Sequence, residues 1–197
     1  MSAADSNPFA TRFTRPGAVP YLFPPDRPAE ALVARLRENG WWGQIIGPHG
    51  SGKSTLLAAL TPAIEAQGRT IVRFSLDEKQ RSLPVTAAAE PAWSGQTQVI
   101  VDGYEQLSWW SRRRLMARCR AAGAGLLVTA HTSVGLPELL TTAPSVELAQ
   151  AVVRQLLRDR EGAIMPTDVA AAYAEHEGNI RETLFQLYDI YQQRRRA

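Results

Sequence analysis

The sequence contains Gly47-Pro48-His49-Gly50-Ser51-Gly52-Lys53-Ser54-Thr55, which matches the pattern G-x-x-x-x-G-K-[ST]. Glycines in such a loop let successive N–H groups turn towards phosphate oxygens. Lys53 can then reach the β- and γ-phosphates, and the Ser54 hydroxyl can ligate Mg²⁺. An apolar run typical of a strand precedes the loop, and a helix is predicted to begin at Thr55. The sequence therefore predicts a bound nucleoside triphosphate with Mg²⁺.

Strands and helices alternate through the middle of the chain. After the helix that follows the loop, apolar and β-branched runs predict strands at residues 70–76, 98–102 and 125–130, a short segment at 136–140 and a last strand at Ser145–Leu148. Helices are predicted at Ser108–Ala122 and, more briefly, near Val85–Glu90. Such alternation predicts an α/β fold, a parallel sheet with helices on both faces.

The two ends of the chain differ from this middle part. Residues 1–28 are rich in proline, which predicts an extended strap. After Leu148 the pattern is helical only: a helix at 149–158, a second capped by Thr167, and a third from Ile180 to Gln193 capped by Asn179. We therefore expect a strap at 1–28, a nucleotide-binding core at 29–148, and a three-helix lid with a basic tail at 149–197.

Composition limits the setting in which the protein works. The apolar fraction of 45% and charged fraction of 21% are ordinary for a globular domain. No apolar run approaches the roughly 20 residues that span a bilayer, and residues 1–5 lack the features of a secretory signal. Cys119 is the single cysteine, so no internal disulfide can form. These features predict a cytoplasmic protein.

Arginines form two clusters although the net charge is only +3. One cluster is Arg112–Arg114 with Arg118 and Arg120, and the other is Arg194–Arg196. Either they are a solvated helix face and a frayed tail, or they meet nucleic acid phosphates or an acidic protein surface.

Two acidic side chains follow the strand that ends at Asp102. Asp102 is placed to hold Mg²⁺ through its water shell beside Ser54. Glu105 can orient or deprotonate the attacking water, or it is a merely structural carboxylate. Thr129 and His131 lie at the end of the next strand, where polar groups can sense the γ-phosphate or position water. The alternative for His131 is a loop histidine with a local hydrogen-bond partner.

The ordered motifs resemble those of the AAA+ ATPases and their STAND relatives. They are Gly47–Thr55, Val99–Glu105, Leu127–His131 and the tail stretch Ala174–Leu184. The tail is similar to the lid stretch of clamp-loader-type AAA+ proteins, which implies that Arg181 contacts the γ-phosphate. Val101–Glu105 is similar to the NACHT version of the acidic strand, and Asn7-Pro8-Phe9 resembles the start of ATPase regulators of secretion and transposition. The resemblance implies adenine as the base, hence ATP.

One departure from that family concerns the arginine finger. AAA+ rings usually supply it just before the last core strand, yet Val134–Ser145 contains no arginine or lysine. Either catalysis is slow and switch-like, or an arginine comes from elsewhere, with Arg112–Arg114 the nearest cluster in the sequence. We therefore expect a protein partner or a homo-oligomer.

The leading hypothesis is a Mg²⁺-dependent ATPase that acts as a nucleotide-controlled switch or assembly factor, slow without a partner or neighbouring subunit. A second hypothesis, motivated by the arginine clusters, is an ATP-dependent regulator that assembles on DNA. A third is a P-loop kinase; the candidate residues Thr129, His131 and Arg181 favour hydrolysis over transfer to an acceptor.

Overall fold

The computed structural model describes residues 7–24, 26–77, 79–83, 92–158 and 163–196, so the helix predicted near Val85–Glu90 lies outside the described residues. In chain order the elements are α1 (Thr11–Thr14), α2 (Ala29–Glu38), β1 (Trp42–Ile46), α3 (Lys53–Glu65), β2 (Thr70–Ser75), β3 (Thr97–Asp102), a 3₁₀ turn (Tyr104–Gln106), α4 (Trp109–Ala122), β4 (Gly125–Ala130), β5 (Glu138–Thr141), α5 (Val146–Leu157), α6 (Pro166–Glu175) and α7 (Ile180–Arg194). Among these helices, none has both the length and the apolar character needed to cross a bilayer.

The described residues fall into two compact units. The sheet unit comprises those within 23–47 and 59–141, and the lid unit comprises those within 1–22, 48–58 and 142–197. The boundary between them passes through α3 and through the start of the phosphate loop, between Gly47 and Pro48.

The sheet unit contains five parallel strands in the order β2-β3-β4-β1-β5. All strands point the same way, so their carboxyl ends share one edge, where ligands of open α/β sheets bind. The predicted α/β class and the parallel sheet are confirmed.

Successive residues of β4 face opposite sides of this sheet, because side chains alternate along a strand. Leu126 and Val128 belong to a buried cluster with Leu115 and Cys119 of α4. Leu127 points the other way: a β-carbon added at Gly43 would lie 3.0 Å from Leu36 Cδ1 of α2 and 3.5 Å from Leu127 Cδ1. Helices therefore cover both faces. Burial also raises the pKa of the Cys119 thiol to about 12, as expected of a packing residue.

The lid unit has an apolar core built from its three long C-terminal helices. Ala149, Val153 and Leu157 of α5 are buried in one cluster with residues of α6 and α7, which confirms the three-helix lid. The strap is anchored on the same core. Phe9 packs edge-on against Tyr191, with ring centroids 6.0 Å apart.

Two predictions in the C-terminal part of the chain, one about a strand and one about a helix start, are wrong. Ser145–Leu148 is not the last strand, because the Ser145 hydroxyl accepts from Leu148 N (3.2 Å) and caps α5; the fifth strand is Glu138–Thr141. Thr167, in contrast, is not the N-cap of α6. α6 begins at Pro166, which needs no N–H partner in the first turn, and Met165 N donates to Asp168 Oδ2 at 2.7 Å.

Candidate functional site

The phosphate-loop sequence begins where β1 leaves the sheet. Gly47 N donates to Ala130 O at 3.2 Å, which ties the first residue of the motif to the carboxyl end of β4. Strand, loop and helix thus follow one another as the sequence predicts. The motif therefore starts at the edge of the sheet where ligands bind in this class of fold.

Within the lid unit the loop is held together by its own polar groups. Lys53 Nζ donates to Pro48 O at 2.7 Å, and Ser51 Oγ donates to the same carbonyl at 2.8 Å. Ser51 Oγ also pairs with Thr142 Oγ1 at 2.7 Å, and both hydroxyls are buried. His49 is exposed, whereas Ser54 and Thr55 are half-buried in the first turn of α3. Neighbouring backbone and hydroxyl groups thus fix the loop's shape.

Gly50 and Gly52 both have left-handed backbone angles, with φ of +69° and +89°. A side chain at either position costs conformational energy, but Gly50 carries a second constraint. A β-carbon added there would overlap the side chain of Asn179 and lie 3.3 Å from its Cα. At Gly52 the nearest atom to such a carbon is Tyr21 Cε2, at 3.7 Å. Of these two glycines, Gly50 is therefore the one where Asn179 of the lid leaves no room for a side chain.

Asn179 is the N-cap of α7, as predicted. Its side-chain oxygen accepts from Arg181 N at 3.1 Å and from Glu182 N at 3.3 Å. Arg181 is exposed in the first turn of that helix. The structure therefore sets the predicted lid arginine two residues from the side chain that meets the phosphate loop.

In the sheet unit the carboxylate of Asp102 is oriented by β4. Thr129 Oγ1 donates to Asp102 Oδ1 at 2.7 Å and accepts from Gly103 N at 2.9 Å. Arg73 Nη2 lies 3.6 Å from the other carboxylate oxygen. Thr129 is almost fully buried, at 1% exposure. In this arrangement the threonine orients the acid, and one oxygen of Asp102 faces a cation.

Glu105 and His131 form the second pair at this edge. His131 Nε2 lies 3.3 Å from Glu105 Oε1. Glu105 Oε2 is buried and has no hydrogen-bond partner among the described residues. Arg112 donates to the backbone oxygens of Glu105 (2.7 Å) and Leu107 (2.9 Å), which holds the 3₁₀ turn in place. A buried carboxylate oxygen without a donor is suited to accept from a water.

Sequence reasoning did not find several of these contacts. It gave Asn179 only a capping role, and it assigned nothing to Thr142 or Arg73. Asn179 had a sequence signal, since Gly-Asn-x-Arg follows the breaker Gly178, but no local pattern pairs it with Gly50. The hydroxyl of Thr142 and the guanidinium of Arg73 had no signal of their own.

Comparisons with solved structures identify the fold. The protein is similar to a point variant of RuvB from Thermotoga maritima (13% identity, 84% of this chain and 65% of that chain covered, TM-score 0.55). It is also similar to a DNA replication initiation factor (12% identity, 84% and 62% covered, TM-score 0.53) and to the Saccharomyces cerevisiae Hsp104–ADP complex (14% identity, 91% and 32% covered, TM-score 0.52). The chain spans less than two thirds of the length of each structure. No protein-family model matches the sequence, and no curated protein matches it.

The parallel sheet and the loop that follows β1 define the fold of a P-loop NTPase. Within that class, the structural neighbours show that the chain has the AAA+ fold.

The contact between Gly50 and Asn179 predicts energetic coupling between loop and lid. Gly50→Ala should lower the free energy of unfolding by more than the roughly 1–2 kcal/mol of a left-handed alanine, because the methyl group also collides with Asn179. Asn179→Gly removes the obstructing side chain and costs only about a few tenths of a kcal/mol as a cap. In urea unfolding, the double variant should be more stable than the sum of the single effects implies, by about 1 kcal/mol or more.

Gly52→Ala supplies the matched control, since it introduces the same left-handed alanine without the collision. Its cycle with Asn179→Gly should be additive within about 0.5 kcal/mol. Additivity in the Gly50 cycle as well would contradict the contact.

Proposed function

We propose that this protein is an ATP-binding, Mg²⁺-dependent ATPase that acts as a nucleotide-controlled switch or assembly factor. The observation that carries the proposal is the contact of Gly50 with Asn179, the cap of the helix that bears Arg181. A group bound by the loop would change the surroundings of that cap directly. The phosphate loop and the AAA+ fold support the same function.

The binding step is assigned to the loop from Gly47 to Thr55. Its two left-handed glycines and the N-terminus of α3 provide N–H groups suited to phosphate oxygens. The Lys53 ammonium already lies against the loop, on Pro48 O. Moving it to a phosphate exchanges a neutral acceptor for a charged one, which strengthens the hydrogen bond.

The oxygen groups of Ser54 and Asp102 are of the type that a magnesium ion takes. Mg²⁺ prefers oxygen ligands, keeps several of its waters, and would neutralise phosphate charge. We assign its protein oxygens to the Ser54 hydroxyl and to Asp102. Support for Asp102 comes from its carboxylate, which Thr129 orients and which lies at the carboxyl end of β3.

Hydrolysis is assigned to Glu105, with His131 as its neighbour. Oε2 of Glu105, which has no hydrogen-bond partner in the part of the chain that the structure describes, is the kind of acceptor that an attacking water requires, and His131 lies against the other oxygen. Thr129 is then a positioning residue for Asp102, and Arg181 the residue that reports the γ-phosphate to the lid.

A partner or neighbouring subunit is part of the proposal. Arg112 is engaged with backbone oxygens of the 3₁₀ turn and stacks over Tyr104, with 5.3 Å from its Cζ to the ring centroid. Among the three clustered arginines it is therefore the least suited to act as a finger. A finger brought by another chain would accelerate an otherwise slow reaction. We place this function in the cytoplasm, where ATP is available and a free thiol such as Cys119 persists.

The chain has only two lysines, which gives a clean test of ATP binding. Lys53→Ala should weaken binding of a fluorescent ATP analogue by about 10- to 100-fold, because one charge-assisted hydrogen bond is lost. Lys79→Ala removes the same charge from an exposed position and should leave the affinity unchanged. Chelation of Mg²⁺ with EDTA should weaken binding to the wild type. Equal affinities for wild type and Lys53→Ala would refute the proposed site.

Glu105→Gln separates hydrolysis from binding. It keeps the size of the side chain and removes the base, so phosphate release should fall by about 100-fold or more while the affinity for ATP is retained. Phosphate release without an added acceptor also distinguishes an ATPase from a kinase. If release persists and only thermal stability drops, Glu105 is a structural carboxylate.

A further inference from the structure

The start of α4 carries the most exposed aromatic surface described in the sheet unit. Trp110 is 75% exposed and Trp109 is 57% exposed. Their rings meet edge-on, with centroids 4.5 Å apart and an interplanar angle of 80°. Two large flat side chains in water are costly, because each leaves apolar area unburied. The described contacts of the sheet unit do not use them as packing groups.

Exposed arginines lie on and beside this part of α4. Arg113 stacks on Trp109, with 4.9 Å from its Cζ to the ring centroid, and Arg114 is exposed on the next position. Arg81 is exposed beside them, since its backbone oxygen accepts from Ser108 N and Ser111 Oγ, both at 3.0 Å. We call these five residues the α4 patch: Arg81, Trp109, Trp110, Arg113 and Arg114. The sequence of α4 contains no acidic residue.

Other arginines of the two clusters contact side chains within the fold instead. Arg118 stacks on Trp93, with 3.8 Å from its Cζ to the ring centroid. In the tail, Arg194 forms two hydrogen bonds with the carboxylate of Asp168, at 2.6 and 2.9 Å, which lowers the pKa of Asp168. Arg195 lies over the ring of Tyr191. Among the described residues of the sheet unit, the α4 patch is therefore the place where arginines and exposed aromatic rings coincide.

We propose that the α4 patch binds single-stranded nucleic acid, with a base stacked on Trp110 and phosphates on Arg81, Arg113 and Arg114. Bases have flat π-faces that stack on aromatic rings regardless of sequence, and guanidinium groups suit the backbone phosphates. An acidic protein would account for the arginines but not for two exposed indoles. A membrane would need a broader apolar face, and Trp109 and Trp110 are the exposed large apolar side chains among the described residues of the sheet unit.

The test uses the full chain and fluorescein-labelled oligothymidylate and oligouridylate of about 20 nucleotides, followed by anisotropy. We expect the wild type to bind at least one of them more tightly than a duplex of the same length. Trp110→Ala should weaken binding by about tenfold, the loss of one stacked base. The control Phe185→Ala removes a half-exposed ring from α7 and should have no effect.

The charge component has its own control. Arg113→Ala with Arg114→Ala should lower the slope of log affinity against log salt by about 1.4, since each phosphate contact on a single strand contributes about 0.7. Arg35→Ala with Arg37→Ala removes the same charge from the exposed side of α2 and should leave the slope unchanged. Circular dichroism and thermal unfolding confirm that each variant is folded.

The proposal is overturned if the wild type fails to bind either oligonucleotide at about 50 mM salt. It is equally overturned if duplex binds better, if the α2 variant loses as much as the α4 variant, or if anionic vesicles compete and Trp110→Ala loses vesicle binding alone. These assays are carried out without ATP, so their failure leaves the proposed ATPase function standing. Failure of ATP binding likewise leaves the α4 patch testable.

Discussion

The phosphate loop is constrained by the lack of room between Gly50 and Asn179. Glycine is favoured at position 50 for two reasons. The backbone there is left-handed, which disfavours other residues, and a β-carbon would collide with Asn179, the cap of α7. The cap in turn is fixed by α7, whose Leu187 and Tyr191 are buried in the lid core together with Phe9 of the strap. Loop, lid and strap are thus parts of one packed unit, and a change in the loop acts on the first turn of α7.

In the sheet unit, the carboxylates of Asp102 and Glu105 are held by side chains from the neighbouring strand β4 and the residue that follows it. β4 lies beside β3, so the residues at its carboxyl end meet those that follow Asp102. Thr129 donates its hydroxyl proton to Asp102 and accepts from Gly103 N, and these two bonds hold the carboxylate in one orientation. His131 meets Glu105 one step further along. Preorganised groups of this kind cost no reorganisation when charge develops during a reaction.

The sequence allowed much of the fold to be predicted, because strands and the loop have strong local patterns. The strand at Gly125–Ala130 is found with its predicted bounds, since a fully buried strand is a continuous apolar run. Helix starts were harder: Ser145 was assigned to a strand although it caps α5, and Thr167 was expected to cap α6, which instead begins at Pro166. Contacts between distant segments, such as Gly50 with Asn179 or Ser51 with Thr142, have no local pattern at all. The roles of Lys53, Asp102, Glu105 and Arg181 stay predictions.

Hydrogen exchange at the amides of Arg181 and Glu182 tests the link between loop and lid most directly, because Asn179 caps both. Exchange would be measured without nucleotide and with a non-hydrolysable ATP analogue plus Mg²⁺, for wild type and Lys53→Ala. The account predicts slower exchange at both amides when the analogue is present, and no slowing in the variant. Slower exchange in the loop alone, with these two amides unchanged, would show that loop and lid respond independently and would contradict the switch.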